Sequence, residues 1–483
     1  MKTKRFVTTL LFLIFLAVFV LSAASCGRPS SGVSDGTGTL PADSRSAATD
    51  AVTEPAASDP LYADLPTGYY DGHEVNILQY HAHGAQFSMD MDAEEDDGTL
   101  VNGTLWKRTV LVEDRLGIDI SLTLVEKTDE VGQKIDADIA AEECNFEIFS
   151  NHSAHLAVQT MNGQAIAYSD LPGIDLTKPW WNDSVIELTK AGDGRVYMGF
   201  GYINMSCFDS QCGVWFNKDL AEEYQLGDIY AMVKNKEWTM DRYIQICRTF
   251  AANGENLYGV SAYPYVGAPG LVLGCDVSFF EKDSLTGRFT YLGVTDKMYD
   301  VNSKMGEMLR DKSVSNLDWA TYFDCFRDGE SFSLCVNVSG MKYFRGVELN
   351  YGLAPFPMYN EEQKTYLSYT TNQLQGVCVA VTTRDAARSA VIIENLAAES
   401  YRRLRDVYFE QLLNERLLRD EESKEILADI FETPLVLPIE AVYDFKMAGN
   451  IFGFDGGDGN ITSRADACRE AVNKALDDFY AWG

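Results

Sequence analysis

Four of the five histidines stand in two close pairs. His81 and His83 are two residues apart, and His152 and His155 are three residues apart. Each pair follows a short apolar run that is typical of a strand, so both pairs would lie where strands end. Imidazole rings at these spacings could converge on one Zn²⁺ or a similar ion. A metal-ion-binding receptor is therefore one interpretation, and two unrelated polar loops are the other.

Two acidic stretches, DMDAEEDDG at 90–98 and DGGDGN at 455–460, loosely resemble calcium loops. The first lacks the glycine at the sixth position and the glutamate at the twelfth that such loops require. The chain has no zinc-protease, nucleophile-elbow, P-loop or dinucleotide-binding motif. We therefore expect no cofactor, no resident metal and no enzymatic chemistry. An exported hydrolase with an unrecognised site is the alternative.

Trp180 and Trp181 are adjacent aromatic residues, and the face of either ring could stack on an apolar face of a ligand. Neighbouring residues on a strand point to opposite faces, so the two rings cannot both point inward. Core packing is the other interpretation, because aromatic residues build cores more often than sites.

Strand and helix patterns alternate through the chain and position these residues. HEVNILQY at 73–80, IDISLTLV at 118–125, FEIF at 146–149 and GVCVAV at 376–381 are typical of strands. Strands alternating with helices predict an α/β fold with mostly parallel sheets. Ligands of such sheets bind beyond the carboxyl ends of the strands, so the polar loops there are the candidate sites.

The first residues are typical of an export signal. A short basic start precedes an apolar run at 6–21 and the small residues of 22–25, so residues 1–25 are predicted to be a signal peptide. Small residues directly before Cys26 resemble the lipobox of bacterial lipoproteins, although Ala23 stands where that family usually has Leu. We therefore predict lipidation at Cys26 and a flexible linker over 26–65, with a retained anchor helix as the alternative.

The charge of the chain limits the classes of partner, and its cysteine content indicates the state of its thiols. The chain has 72 acidic residues against 40 basic ones, a formal net charge of −32. This acidity argues against nucleic acid or anionic lipid as a partner. Nine cysteines remain after Cys26, an odd number, and several lie in apolar surroundings that are typical of buried thiols. Cys207 and Cys212 are close enough in sequence to form a local disulfide.

Four short motifs resemble one family when their order is considered. They are Asn-Lys-Asp-Leu at 217–220, Trp-Thr-x-Asp at 238–241, FRDG at 326–329 and PFP at 355–357. The chain resembles, over about 70–483, the extracellular solute-binding proteins of ABC importers, family 1, the maltose-binding-like carbohydrate group. The resemblance implies a two-lobed periplasmic-binding-protein-like fold of type II, an α/β architecture whose ligand is captured by closure of the cleft.

The resemblance also implies how the chain divides between the lobes. Lobe one would hold 70–204 and 371–430, and lobe two would hold 205–370 and 431–483. Three hinges would join them, near Ile203–Ser206, Tyr369–Asn372 and Pro434–Pro438.

The same resemblance implies the ligand contacts and the setting. We expect a monomer, lipid-anchored at the cell membrane on its extracytoplasmic face, that passes a carbohydrate or other small polar solute to ABC permease subunits. The expected ligand-binding residues are Tyr80, His81, Ser150, Asn151, His152, Trp180, Trp181, Asp209, Tyr263, Tyr265, Met341 and Tyr343.

Overall fold

Strands form where apolar and β-branched residues alternate or run together. The computed structural model describes residues 60–81, 91–93, 95–370, 373–414, 417–432, 435–436, 447–454 and 456–482. These residues belong to one compact unit, Asp59–Gly483. The strands within them are β1 (His73–Tyr80), β2 (Ile118–Val125), β3 (Ile148–His152), β4 (Ala165–Ile166), β5 (Gln211–Asn217), β6 (Tyr258–Ala262), β7 (Phe280–Lys282), β8 (Phe289–Tyr291), β9 (Ser315–Asn316), β10 (Ser331–Asn337), β11 (Tyr351–Ala354), β12 (Ser368–Thr370), β13 (Gln375–Ala380) and β14 (Leu435–Val436).

Helices alternate with these strands. Several begin at a side chain that accepts a main-chain N–H; Asn217, which precedes Lys-Asp-Leu, accepts from Leu220 at 3.1 Å. The helices are α1 (Leu100–Leu116), α2 (Thr128–Ala141), α3 (Ser153–Met161), α4 (Asp183–Leu188), α5 (Ser206–Asp209), α6 (Lys218–Glu223), α7 (Ile229–Lys234), α8 (Met240–Ala251), α9 (Ala268–Leu273), α10 (Asp296–Val301), α11 (Glu307–Arg310), α12 (Tyr322–Arg327), α13 (Ala386–Asn414), α14 (Glu421–Glu432), α15 (Met447–Ile451) and α16 (Ile461–Ala481). Within the described ranges, no helix has both the length and the apolar character that a membrane crossing needs.

Two main sheets organise the chain, and we call the elements around each sheet a lobe. Sheet one has the order β2-β1-β3-β13-β4, and sheet two has the order β14-β12-β5-β10-β6-β9, with β11 also paired to β5. Strands β7 and β8 form a separate hairpin. The two-lobed α/β fold with helices flanking the sheets is thus confirmed.

The sheets are mixed, which differs from the expectation of mostly parallel sheets. The runs β2-β1-β3 and β10-β6-β9 are parallel. Strands next to the crossings between lobes pair antiparallel: β5 with β10, β12 with β5, and β13 with β3. The reason is physical, because a strand that enters a sheet from the other lobe does so without the helical crossover that parallel neighbours need.

The chain passes between the two sheets more than once. It leaves sheet one after Gly199, which bridges to Val377, and enters sheet two at Gln211. It returns between Thr370 and Gln375. The helix α14 packs beside β11 of sheet two. The exact division into lobes and the hinge positions remain predictions.

One long helix connects two of the hydrophobic cores. The first half of α13 lies beside α1 and packs, through Ala390 and Leu396, into the core that includes Val75 of sheet one. Its second half packs through Leu404, Tyr408, Phe409 and Leu412 into a second core. That second core contains Met341 and Tyr351 of lobe two. The 29 residues of α13 therefore belong to both lobes.

Residues at both ends of the described part of the chain also pack against lobe one. The Tyr62 ring stacks on Trp180 with centroids 5.8 Å apart and lies 3.6 Å from the Arg402 guanidinium. At the other end, Trp482 packs against Tyr197 at 4.3 Å, so the end of α16 contacts lobe one. Within the described residues, packing against lobe one thus extends into the predicted linker, to Tyr62.

A buried polar network around Gln375 closes the junction between the sheets. The amide oxygen of Gln375 accepts from Gln79 Nε2 at 3.3 Å, Ser150 Oγ at 3.4 Å and Asn204 Nδ2 at 3.3 Å. Its amide nitrogen donates to the main-chain oxygen of Tyr80 at 3.3 Å. All of these side chains except that of Tyr80 are fully buried polar groups, so each depends on the others for hydrogen bonding.

The main chain of the same residue is bound as well. Its N–H donates to Ser206 Oγ at 2.9 Å, and the Ser206 N–H donates to Asn204 Oδ1 at 2.8 Å. Gln375 therefore joins β1 and β3 to the segment that leaves sheet one.

This network predicts a stability loss. We expect Gln375→Met to lower the free energy of unfolding by about 3 kcal/mol, because it leaves three buried donors without their acceptor. Urea unfolding followed by circular dichroism measures the loss. Gln363→Met is the matched control, since Gln363 also accepts and donates hydrogen bonds but lies in a half-buried loop. An equal loss in the two variants would contradict the role given to the Gln375 network.

Candidate functional site

The strand ends of both sheets meet at this junction. Strands β1 and β3 end beside Gln375, and in sheet two the parallel strands β6, β9 and β10 end at one edge. Asn337, the last residue of β10, donates from Nδ2 to Gln373 Oε1 at 2.7 Å. Side chains that follow the strands of either sheet are therefore placed around the same junction, where α/β sheets bind ligands.

The edge of sheet one brings together the predicted residues of that lobe. The rings of Tyr80 and His152 meet edge to face with centroids 4.7 Å apart. Ser150 and the Tyr80 main chain both bind the Gln375 amide. Asn151 Oδ1 accepts from the His152 N–H at 2.9 Å. Tyr80, Ser150 and Asn151 are buried, so they hold this edge together, and their contact with a ligand stays a prediction.

His81 and His152 are the partly exposed residues of this group. Burial, together with the charge of the nearby His155, lowers the pKa of His152 to about 3. The ring is therefore neutral at physiological pH. Its Nε2 is itself buried and has no hydrogen-bond partner among the described residues. A neutral imidazole with one unbonded ring nitrogen can exchange a hydrogen bond with a hydroxyl group.

The edge of sheet two carries an aromatic surface, which we call the aromatic ledge. It consists of the ring-contacting residues Tyr263, Tyr265, Tyr322, Phe323 and Tyr343, and we include Trp319 because it lies in the loop that leads into Tyr322. Successive ring centroids are 4.2 to 6.3 Å apart along the path Tyr265, Tyr263, Tyr322, Phe323 and Tyr343. Trp319, in the loop between β9 and α12, is 73% exposed, and Tyr343 is 38% exposed. The ledge thus has aromatic side chains that solvent can reach.

Polar groups lie at one end of the ledge. The Tyr343 hydroxyl donates to Asp324 Oδ1 at 2.8 Å, and Arg327 Nη1 donates to the Tyr343 oxygen at 3.2 Å. Arg327 also pairs with Asp324 and Asp328. Aromatic faces with a carboxylate and a guanidinium beside them are the combination that a polyhydroxylated ligand needs.

The expectation that Trp180 or Trp181 is an accessible platform is wrong. Their exposed fractions are 0% and 4%. Both indole N–H groups donate at 3.0 Å to the carboxylate of Glu394 on α13, one to each oxygen. A ligand ring has no access to either face, because the pair forms part of the core of lobe one.

Asp209 and Met341 are also taken up by the protein. Asp209 is 1% exposed, and its carboxylate binds Lys342 Nζ at 2.6 Å and the Tyr408 hydroxyl at 2.7 Å. Met341 is fully buried in the core shared by the two lobes. Both side chains thus have partners inside the protein, and their contact with a ligand stays a prediction, whereas Tyr263, Tyr265 and Tyr343 lie on the ledge.

The described residues contain no group of three or more His, Cys, Asp or Glu side chains able to hold a metal ion. His83 lies outside the described residues, as does part of each acidic stretch. In the stretch at 455–460, the guanidinium groups of Arg464 and Arg310 pack against Gly457 and Gly459. Positive charge at this loop opposes calcium binding there.

All nine cysteines within the described ranges are free thiols. Cys207 and Cys212 therefore do not form a local disulfide with each other. Burial raises the pKa of both thiols well above the usual value, so they stay protonated and unreactive. Cys26 lies outside the described residues.

Sequence reasoning missed part of the ledge. Trp319, Tyr322 and Phe323 belong to the stretch DWATYF, which begins one residue after β9 ends. A strand followed by three aromatic residues at a sheet edge was the available signal. It was hidden because β9 is only two residues long and has no periodicity to detect.

No protein-family model and no curated protein sequence matches the chain. Solved structures do. An ABC substrate-binding protein of Listeria monocytogenes in complex with cycloalternan matches with a TM-score of 0.55 at 13% identity, over 84% of this chain and 100% of that one. The GacH receptor of Streptomyces glaucescens, solved unliganded and with acarbose, matches with a TM-score of 0.55 at 12% identity, over 84% and 99%. A maltose/maltodextrin-binding domain of Bdellovibrio bacteriovorus bound to maltotriose gives 0.52 at 14% identity, over 84% and 100%.

The shared fold is that of ABC substrate-binding proteins, which supports the two-lobed description reached from the sheets. At these identities the likeness concerns the fold of the chain.

The buried Glu394 provides a pH test of the Trp pair. Burial raises the pKa of Glu394 from 4.5 to about 7, and hydrogen bonds from Trp181 and Trp180 oppose the rise only in part. The folded state therefore keeps a proton that the unfolded state loses near pH 4.5, and this stabilisation disappears as the pH rises through about 7. Relative to Glu394→Gln, the wild type should lose up to about 3 kcal/mol of unfolding free energy across this window.

Glu399→Gln is the matched control on the same helix. Burial alone would raise the pKa of Glu399, but hydrogen bonds and charges from Arg115, Arg403 and Arg402 lower it overall. Its stabilisation is present above the unfolded pKa and is lost as the pH falls. Urea unfolding at several pH values measures the unfolding free energy of the wild type relative to each variant. Relative to Glu394→Gln this free energy should fall as the pH rises, and relative to Glu399→Gln it should fall as the pH decreases. The same direction of change for both variants would contradict the burial of Glu394.

Proposed function

We propose that this chain is a lipid-anchored extracytoplasmic solute-binding protein that captures an oligosaccharide for import by an ABC transporter. The aromatic ledge carries this proposal. A surface of neighbouring rings beside a carboxylate and a guanidinium suits the alternating apolar faces and hydroxyl edges of a sugar chain. The protein binds and releases its ligand and performs no chemistry on it.

The opposite edge supplies complementary groups. His81 and His152 lie at the ends of β1 and β3, beside the same junction as the ledge. A neutral imidazole accepts or donates one hydrogen bond without imposing a charge, which suits an uncharged hydroxyl. Closure of the two lobes would bring these groups and the ledge onto one ligand.

The likeness in fold supports the transport role. The three solved structures described above include proteins bound to cycloalternan, acarbose and maltotriose. We infer that this chain likewise presents a carbohydrate to ABC permease subunits, as a monomer. Its net charge of −32 makes nucleic acid an unfavourable partner.

Trp319→Ala tests the ledge. A thermal-shift screen over maltotriose, other oligosaccharides, monosaccharides, amino acids and Zn²⁺ should find an oligosaccharide that raises the Tm of the wild type without turnover. We expect Trp319→Ala to weaken binding of that oligosaccharide about tenfold, measured by calorimetry, because an exposed ring loses its stacking contact. Tyr299→Ala is the control, because Tyr299 is 48% exposed and instead bonds Thr462 of α16.

Two results would overturn the proposal in favour of the alternatives. A large shift with Zn²⁺ alone, lost in His81→Ala and His152→Ala, would indicate a metal receptor. Turnover of a chromogenic glycoside by the purified protein would indicate an exported hydrolase.

Cys26→Ala tests the anchor separately. In cells fed a labelled fatty acid, the wild type should carry label and sediment with membranes, because two or more acyl chains hold a protein stably at a bilayer. The variant should lose both the label and the membrane association. Membrane retention of unlabelled Cys26→Ala would contradict lipidation and support a retained anchor helix.

A further inference from the structure

We propose that Asp209, Lys342 and Tyr408 form a buried brace that ties the turn carrying the ledge residue Tyr343 to α13. The proposal rests on the proposed function in one respect, namely that a ligand uses the ledge. It assigns Asp209 the part of a positioning residue that acts through Lys342.

The contacts join three separate parts of the chain. Asp209 ends the short helix α5, directly after the crossing from sheet one. Its Oδ2 lies 2.6 Å from Lys342 Nζ, and its Oδ1 accepts from the Tyr408 hydroxyl at 2.7 Å. Lys342 belongs to the turn Val338–Phe344 that follows β10, and Tyr408 belongs to α13.

The brace is shielded from solvent. Asp209 is 1% exposed, Tyr408 is 3% exposed, and the Lys342 side chain is 15% exposed. A buried carboxylate needs both a counter-charge and hydrogen bonds, and this one has them from Lys342 and Tyr408. Losing either Lys342 or Tyr408 would leave the buried Asp209 carboxylate without one of its partners, which is costly. The ammonium group of Lys342 is therefore held beside Asp209.

The position of Lys342 determines that of Tyr343. The neighbours Met341 and Phe344 are buried in the core that also contains Tyr408, so the turn is held by apolar packing on one side and by the ion pair on the other. Tyr343 points away and carries its ring onto Phe323 of the ledge, with centroids 4.9 Å apart. Releasing Lys342 would therefore free Tyr343, its neighbour in the chain, to move relative to Phe323.

A second triad of the same composition offers an internal control. Lys218 Nζ lies 2.6 Å from Asp420 Oδ2, and the Tyr230 hydroxyl donates to Asp420 Oδ1 at 3.0 Å. This triad joins α6 and α7 to the start of α14 and contacts no ledge residue among these hydrogen bonds. It has the same chemistry as the brace without its link to the ledge.

The experiment compares Lys342→Met with Lys218→Met in the full chain. Both variants should lower the Tm, since each leaves a mostly buried Asp without its counter-charge. Hydroxyl-radical footprinting read by mass spectrometry, without ligand, should show the oxidation rate of Tyr343 changed about twofold or more in Lys342→Met and unchanged in Lys218→Met.

Affinity provides the second measurement. With maltotriose, or the oligosaccharide that gives the largest thermal shift, Lys342→Met should bind about tenfold more weakly and Lys218→Met about as well as the wild type. Lys342→Arg keeps the charge and should restore both the Tyr343 footprint and the affinity. A role in stability alone would lower the Tm in both variants and leave these two measurements unchanged.

The outcomes separate the two proposals. If no oligosaccharide binds the wild type, the proposed function fails, and the ligand-free footprint still decides on the brace. If Lys342→Met leaves the Tyr343 footprint as it is in Lys218→Met, the brace is overturned whatever the ligand proves to be.

Discussion

Buried hydrogen bonding at the junction of the two sheets constrains everything built around it. The strands β1, β3 and β13 and the outgoing segment at Asn204 all bring polar groups to one buried place, and the single amide of Gln375 satisfies four of them. Polar groups in such surroundings must be paired, so the four segments have little freedom relative to one another. The edge that carries His81 and His152 takes its shape from this pairing.

The chain divides its aromatic residues between two physical roles. Trp180 and Trp181 have polar N–H groups that a buried carboxylate, Glu394, satisfies, which allows both rings to sit in a core. Five of the ledge residues instead contact one another ring to ring, and Trp319 and Tyr343 are exposed to solvent. Whether an aromatic residue is buried, as in the Trp pair, or lies on the ledge depends on the residues packed against its ring. The residue type alone does not reveal this.

Sequence reasoning succeeded where the determining interactions are local. Alternating apolar residues placed β1 and β2, and strand ends followed by polar residues located Tyr80, Ser150 and His152 at one edge. It failed for Trp181, whose partner Glu394 is 213 positions away along the chain. Nor did it find the partners of Asp209, since Lys342 and Tyr408 are 133 and 199 positions away. Long-range pairing of this kind leaves no periodic pattern in the chain.

The long helix α13 has a consequence for the order in which the protein can be completed during synthesis. At 29 residues it is about 43 Å long, and its apolar side chains pack into two of the hydrophobic cores. Strands β5, β10 and β11 are made before it, and they carry Trp215, Val336 and Tyr351 into the second core. Until Leu404 and Phe409 emerge, those side chains lack part of their cover. A nascent lobe two therefore carries an exposed apolar surface that only a later segment of the same chain removes.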